Sequence, residues 1–126
     1  MEKKIITTED APAPIGPYSQ AVQTGNLLFI SGQVPINPVT NTIEATDITG
    51  EAEQVMKNLS AVLTAAGYRF SEVVKATIFL TDMANFPAVN EVYGKYFDGA
   101  YPARETVAVK GLPRNVNVEI SLIASK

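Results

Sequence analysis

The sequence contains no cysteine and no histidine. Without cysteine there is no disulfide framework and no thiol nucleophile. Without histidine, the commonest general base and the commonest transition-metal ligand are both missing. Acid–base chemistry then falls to carboxylates, tyrosine, lysine or bound water, and neither a metal nor another cofactor is expected. A surplus of positive charge is lacking as well. Lys and Arg number 10 against 13 Asp and Glu, a net charge of −3, and no basic stripe is present, which argues against nucleic acid as a main partner. No apolar run approaches the roughly 20 residues of a membrane span. The segment from Met1 to Asp10 lacks the apolar core of a secretory signal. A cytoplasmic protein without a membrane partner is expected.

What is present suits one domain over residues 1–126, with 46% hydrophobic residues. A chain of this size buries roughly two-thirds of the surface that it exposes when unfolded. Lys4–Thr7 reads as a first strand. The stiff run Ala11-Pro12-Ala13-Pro14-Ile15-Gly16-Pro17 leads into a second strand over Tyr18–Gln23. Tyr18 is either a packing aromatic or a ring and hydroxyl lining a pocket. After a turn at Thr24-Gly25-Asn26, Leu27–Val34 reads as a strand interrupted by Ser31-Gly32. Such a glycine marks either a bulge or the close approach of a ligand. Asn41 suits a left-handed turn position.

A helix is predicted from Thr46–Thr49 to Gly67, with Ala52, Val55, Met56, Leu59, Val62, Leu63 and Ala66 as its apolar stripe. Val73–Leu80 is a strongly apolar strand. A second helix is predicted from Asn85 or Phe86 to Phe97, with Asn90 at the edge of its apolar stripe. Two helices cover only one face of such a sheet, yet two strands look apolar on both sides. The bare face is therefore expected to bury itself in a homo-oligomer.

The C-terminal part, Tyr101–Val109 and Val116–Leu122, reads as two strands joined by turn chemistry at Leu112-Pro113-Arg114-Asn115, hence as an antiparallel hairpin. Alternation would then put Arg104 and Thr106 on one face with Asn117, Glu119 and Ser121. Arg104 and Glu119 would stand within roughly 5–8 Å at Cβ. This pair is either a structural ion pair or an anion fork beside a general base, and strand pairing alone leaves both open.

Four segments together carry a family resemblance across essentially the whole chain. They are Ala13–Gln20; Ser31-Gly32-Gln33-Val34-Pro35 with Asn37-Pro38; Val89-Asn90-Glu91-Val92-Tyr93; and Tyr101-Pro102-Ala103-Arg104 with Leu112-Pro113 and Val118-Glu119-Ile120. In this order they resemble the reactive intermediate deaminase (RidA/YjgF) family. The resemblance implies a chorismate-mutase-like α+β fold, a mixed β-sheet with two helices on one face, assembled as a homotrimer with ligand clefts at the subunit contacts. It implies hydrolysis of 2-imino or enamine acids, such as 2-iminobutanoate and 2-iminopropanoate, to the 2-oxo acid and ammonia. Arg104 would bind the substrate carboxylate and Glu119 would manage the water. Tyr18, Ser31, Gly32 and Asn90 would line the cleft, some of them from a neighbouring subunit. Many relatives have serine at Glu105 and cysteine at Thr106. Thr106 still offers a hydroxyl and a backbone N–H to a carboxylate, and Glu105 points to the opposite face by alternation. Two other functions compete with the deaminase: a non-catalytic sensor of small carboxylates, and a translation inhibitor or endoribonuclease, against which the acidic balance and the missing histidine weigh.

Overall fold

The computed structural model describes residues 2–126. Six strands form one sheet, and two helices lie on one of its faces. In chain order these are β1 (Lys3–Ile6), β2 (Ala21–Thr24), β3 (Leu27–Gln33), α1 (Ile48–Ala66), β4 (Val73–Leu80), α2 (Phe86–Gly94), β5 (Ala103–Ala108) and β6 (Val118–Ser125). No helix among the described residues is long and apolar enough to cross a membrane.

Helix α1 begins where Asp47, in extended backbone, accepts a hydrogen bond from the Gly50 amide at 2.8 Å. It ends at Gly67, whose φ of 79° is the left-handed conformation glycine adopts without a steric cost. Its stripe of Ala52, Val55, Met56, Leu59, Val62 and Leu63 is at most 1% exposed, in one cluster with Leu28, Ile30, Ile78, Leu80, Ile120 and Leu122 of the sheet. Helix α2 stops at Gly94, three residues short of the expected Phe97. The next three amides reach back three residues rather than four, to Val92, Tyr93 and Gly94. This tightening turns Phe97 inward, against the rings of Phe70 and Tyr93.

The strand order is β1-β2-β3-β6-β4-β5. All neighbours are antiparallel except β4 and β5, which run parallel across the α2 crossover. The expected β5–β6 hairpin is therefore incorrect, because β4 lies between the two strands. The nine residues between β5 and β6 are more than a tight hairpin needs. They carry the chain past the end of β4, where Val109 N–H bonds the Leu80 carbonyl at 2.7 Å. The gain is a central position for β4, whose Ala76, Ile78 and Leu80 are completely buried.

The correction reverses the expected sharing of faces. Arg104 and Thr106 are register partners of Ala76 and Ile78, on the helix-covered side. Glu119 and Ser121 are partners of Phe79 and Thr77, on the bare side. Glu105 does point away from Arg104, and it pairs with Lys75 on the bare face at 2.8 Å. That face also leaves Ile5 49%, Phe29 42% and Val107 42% exposed, an unusual row of apolar side chains to leave in water.

Candidate active site

The break in β3 builds the first part of the site. Ile30 pairs with Leu122 and Gln33 with Ile120, so Ser31 and Gly32 together oppose Ser121 in a bulge. Ser31 is bonded twice to the end of the proline-rich segment: its hydroxyl donates to the Ser19 carbonyl at 2.6 Å, and its amide donates to the Gln20 carbonyl at 2.9 Å. Gly32 has a steric role. A Cβ there would stand 2.7 Å from Cδ and 2.9 Å from Cγ of Glu119, and would collide with Oε2. The Glu119 carboxylate thus occupies the notch that the missing side chain leaves.

Glu119 is half-buried, and among the described residues it has neither a hydrogen-bond nor an ion-pair partner. Burial pushes its carboxyl above the ordinary carboxylate value, because the charged form loses water without gaining a partner. It faces a cavity of about 380 Å³, whose wall includes Tyr18, Ser31, Gly32, Ile36 and Arg114. Tyr18 is 52% exposed and lines this wall instead of packing in the core.

The walls are held by buried amides. Gln20 donates to the carbonyls of Thr8, Ala11 and Pro12, and accepts from the Thr8 amide. Asn58 of α1 donates to the carbonyls of Val34 and Ile36, each at 3.0 Å. Sequence reasoning missed Arg114 as a wall residue. Its backbone is left-handed, at φ 60°, in the turn before β6. The turn chemistry at 112–115 located the loop but gave no signal that the guanidinium borders a cavity.

Arg104 and Asn90 belong to a second, more open cavity of about 730 Å³, bordered also by Tyr93, Tyr101 and Pro102. Asn90 accepts from Arg104 Nη1 at 2.7 Å. The guanidinium carbon stands 5.2 Å from the centroid of Phe86 and 5.1 Å from that of Tyr93. An arginine has five N–H donors, and this single bond leaves four of them available in a fixed plane. Burial raises the Tyr93 phenol, the charge of Arg104 opposing it. The Thr106 hydroxyl, two residues along β5, is closed off from solvent, has no partner among the described residues and lines neither cavity.

The seven expected residues therefore divide. Tyr18, Ser31, Gly32 and Glu119 meet in the first cavity, Asn90 and Arg104 in the second, and Thr106 in neither. Arg104 and Glu119 are not neighbours. They lie two strands apart and three positions out of step, about 14 Å at Cα by standard strand spacings, on opposite faces of the sheet.

A family model described as Endoribonuclease L-PSP matches residues 8–126. Among curated proteins, Protein DfrA of Myxococcus xanthus is 55% identical over 126 residues, covering 98% of this chain and 96% of its own. The 2-iminobutanoate/2-iminopropanoate deaminase of Dermatophagoides farinae is 48% identical over 121 residues, covering 96% and 94%. The crystal structure of TdcF from E. coli, with bound serine, has a TM-score of 0.93 at 42% identity and covers 98% of both chains. With the motif series, the six-stranded mixed sheet and two near-full-length relatives in agreement, the chain belongs to the reactive intermediate deaminase (RidA/YjgF) family.

Proposed function

We propose that the protein hydrolyses small 2-imino acids, 2-iminobutanoate and 2-iminopropanoate, to the 2-oxo acid and ammonia, in a cleft that a second copy of the chain completes within a homotrimer. The observation that carries this reading is the Glu119 carboxylate, half-buried, without a partner among the described residues and seated in the Gly32 notch beside a cavity. A purely structural ion pair with Arg104 would have placed the two groups in contact. The names of the deaminase relative and of the serine-bound structure support a small amino-acid-like ligand.

Each part has a physical role. Arg104, held between two rings, offers a planar fork that receives a carboxylate bidentately. Each charge-assisted bond contributes about 1.5–3 kcal/mol. This fixes the imine carbon relative to one water, and the protonated imine is already a strong electrophile, so positioning supplies most of what is needed. Glu119 accepts a proton as the water oxygen bonds to C2. It returns that proton to nitrogen and takes up the proton of the new hydroxyl as the C–N bond breaks, leaving the 2-oxo acid and ammonia, and then releases this last proton to solvent. A carboxyl raised above its ordinary value is a better proton acceptor for this task. Arg104 and Glu119 act on one substrate only when they come from different protomers.

The test is a coupled assay in which a threonine dehydratase generates 2-iminobutanoate and semicarbazide traps what remains. The wild-type protein is expected to accelerate ammonia release, Arg104→Ala to abolish the acceleration, and Glu119→Gln to lower it by about 10²–10⁴. If 2-oxobutanoate binds in calorimetry while ammonia release stays at the uncatalysed rate, the site is a carboxylate sensor and the deaminase reading falls.

A further inference from the structure

Glu51, in the first turns of α1, is 6% exposed and has no ion-pair partner among the described residues. Both of its oxygens are used on one residue. Oε1 accepts the backbone N–H of Asn117 at 2.8 Å, and Oε2 accepts the Asn117 side-chain amide at 2.6 Å. The rest of Asn117 is held by Thr81, at the end of β4. Thr81 Oγ1 donates to Asn117 Oδ1 at 3.1 Å, and the Thr81 amide donates to the Asn117 carbonyl at 3.3 Å. Every polar group of Asn117 is thereby satisfied between a helix and a strand. A carboxylate in such a place is costly, and well-packed apolar residues commonly stabilise a protein as much or more. What a carboxylate does that an apolar side chain cannot is fix a main-chain position by direction as well as by contact.

We propose that Glu51 is a positioning residue for the reaction: by clamping Asn117 it sets the entry of β6 and hence the seat of Glu119, two residues on, over Gly32. This rests on the reading of Glu119 as the group that manages water. The Glu119 carboxylate has no bond of its own among the described residues, so its location depends on the backbone that carries it; the β4 ladder holds that backbone from Val118 onward, and the clamp holds it where it enters the strand. Asn58 acts from the same helix on another part of the cavity wall, through Val34 and Ile36. Helix α1 thus bears on the Glu119 cavity at two points.

The clamp can be reversed in polarity without changing its net charge. In Glu51→Gln an amide group faces the Asn117 amide, donor against donor unless the Asn117 amide turns over and gives up the hydrogen bond it accepts from Thr81. In Asn117→Asp two carboxylates face each other. In the double variant the glutamine amide donates to the aspartate, while its oxygen still accepts the backbone N–H. The measurements are kcat and KM for 2-iminobutanoate, and the NMR resonance of the Gly32 amide, the backbone against which the Glu119 carboxylate sits. Each single variant is expected to lose about 10- to 100-fold in kcat with KM nearly unchanged, and to displace the Gly32 resonance, as a misplaced catalytic group does. The double variant is expected to recover both. Single variants that melt earlier but keep wild-type kcat and Gly32 resonance would reduce the clamp to a stabilising contact and overturn the proposal, as would a double variant that recovers neither. Should the wild-type protein show no turnover, the deaminase reading fails separately, and the Gly32 resonance still decides whether the clamp seats Glu119. If a single variant does not fold, Thr81→Val, which removes only the hydroxyl donated to Asn117, gives the same readouts at smaller amplitude.

Discussion

Two inactive variants of this protein are expected to restore each other when mixed. Arg104 and Glu119 stand on opposite faces of one sheet and border cavities with no residue in common. On the proposed reading, a shared site takes Arg104 from one protomer and Glu119 from its neighbour. Arg104→Ala removes a fork of two charge-assisted bonds, about 3–6 kcal/mol at 1.5–3 each, or roughly 10²–10⁴ in kcat/KM. Glu119→Gln removes the proton carrier, about 10²–10⁴. Each variant alone is thus at or below about 1% of the wild-type rate. When the two are unfolded together at equal concentration and refolded, each site draws its arginine and its glutamate independently, each intact half the time. About a quarter of the sites are then fully assembled, whatever the number of protomers in a closed ring. The mixture is expected to show about 25% of wild-type ammonia release, some 25-fold or more above either parent. A mixture no faster than the mean of its parents, under conditions where labelled wild-type subunits do exchange, would refute the reasoning. The two residues would then not share a site across chains.

Three further outcomes follow from the same geometry. Gly32→Ala is expected to lower kcat by about tenfold or more with little change in melting temperature, because the added methyl displaces the flexible end of Glu119 and leaves the main chain in place; thermal melts beside the coupled assay check this. The Glu119 carboxyl is raised in the folded state, so folding binds its proton more tightly, and as pH rises from the unfolded carboxylate value through the folded one the charged form is left buried and stability is lost. Glu119→Gln is accordingly expected to be more stable than wild type in urea titrations at pH 7, with the difference vanishing below the ordinary carboxylate range; an equal difference at both pH values contradicts the assignment. Phe29→Glu on the bare sheet face is expected to shift sedimentation from oligomer to monomer and to abolish turnover while circular dichroism stays native.

Much of the local structure was legible because local chemistry determines it. Asp47 lies within the span Thr46–Thr49 read as the start of α1, Gly67 caps its end, β4 has the bounds that its β-branched run suggests, and Asn41 is left-handed at φ 59°. The bulge at Ser31-Gly32 could be anticipated from a glycine inside a strand. Strand order could not. Alternation along β5 correctly separates Glu105 from Arg104, but it does not say which strand lies alongside. A turn-like sequence at 112–115 fits a hairpin as well as it fits a passage around the end of β4. That one ambiguity moved Arg104 and Glu119 from neighbours on one face to opposite faces. The cavity-lining residues Tyr18, Ser31, Gly32, Asn90, Arg104 and Glu119 were picked out by motif, whereas Arg114, Glu51 and Asn58 were not: Glu51 and Asn58 act on backbone groups far away in sequence, and Arg114 reaches the cavity only through the path of its left-handed turn.

The buried amide of Gln20 grips the proline-rich rim through main-chain atoms of Thr8, Ala11 and Pro12. No side chain of the rim takes part in that grip. Ala13 and Ile15, which point at the same cavity, are thus released from any duty of holding their own loop in shape. On the proposed reading, exchanging them for larger, smaller or polar residues would retune which substituent fits there, while the bonds that hold the loop stay in place. Adaptability of appetite and constancy of form are separated at the level of which atoms carry the bonds.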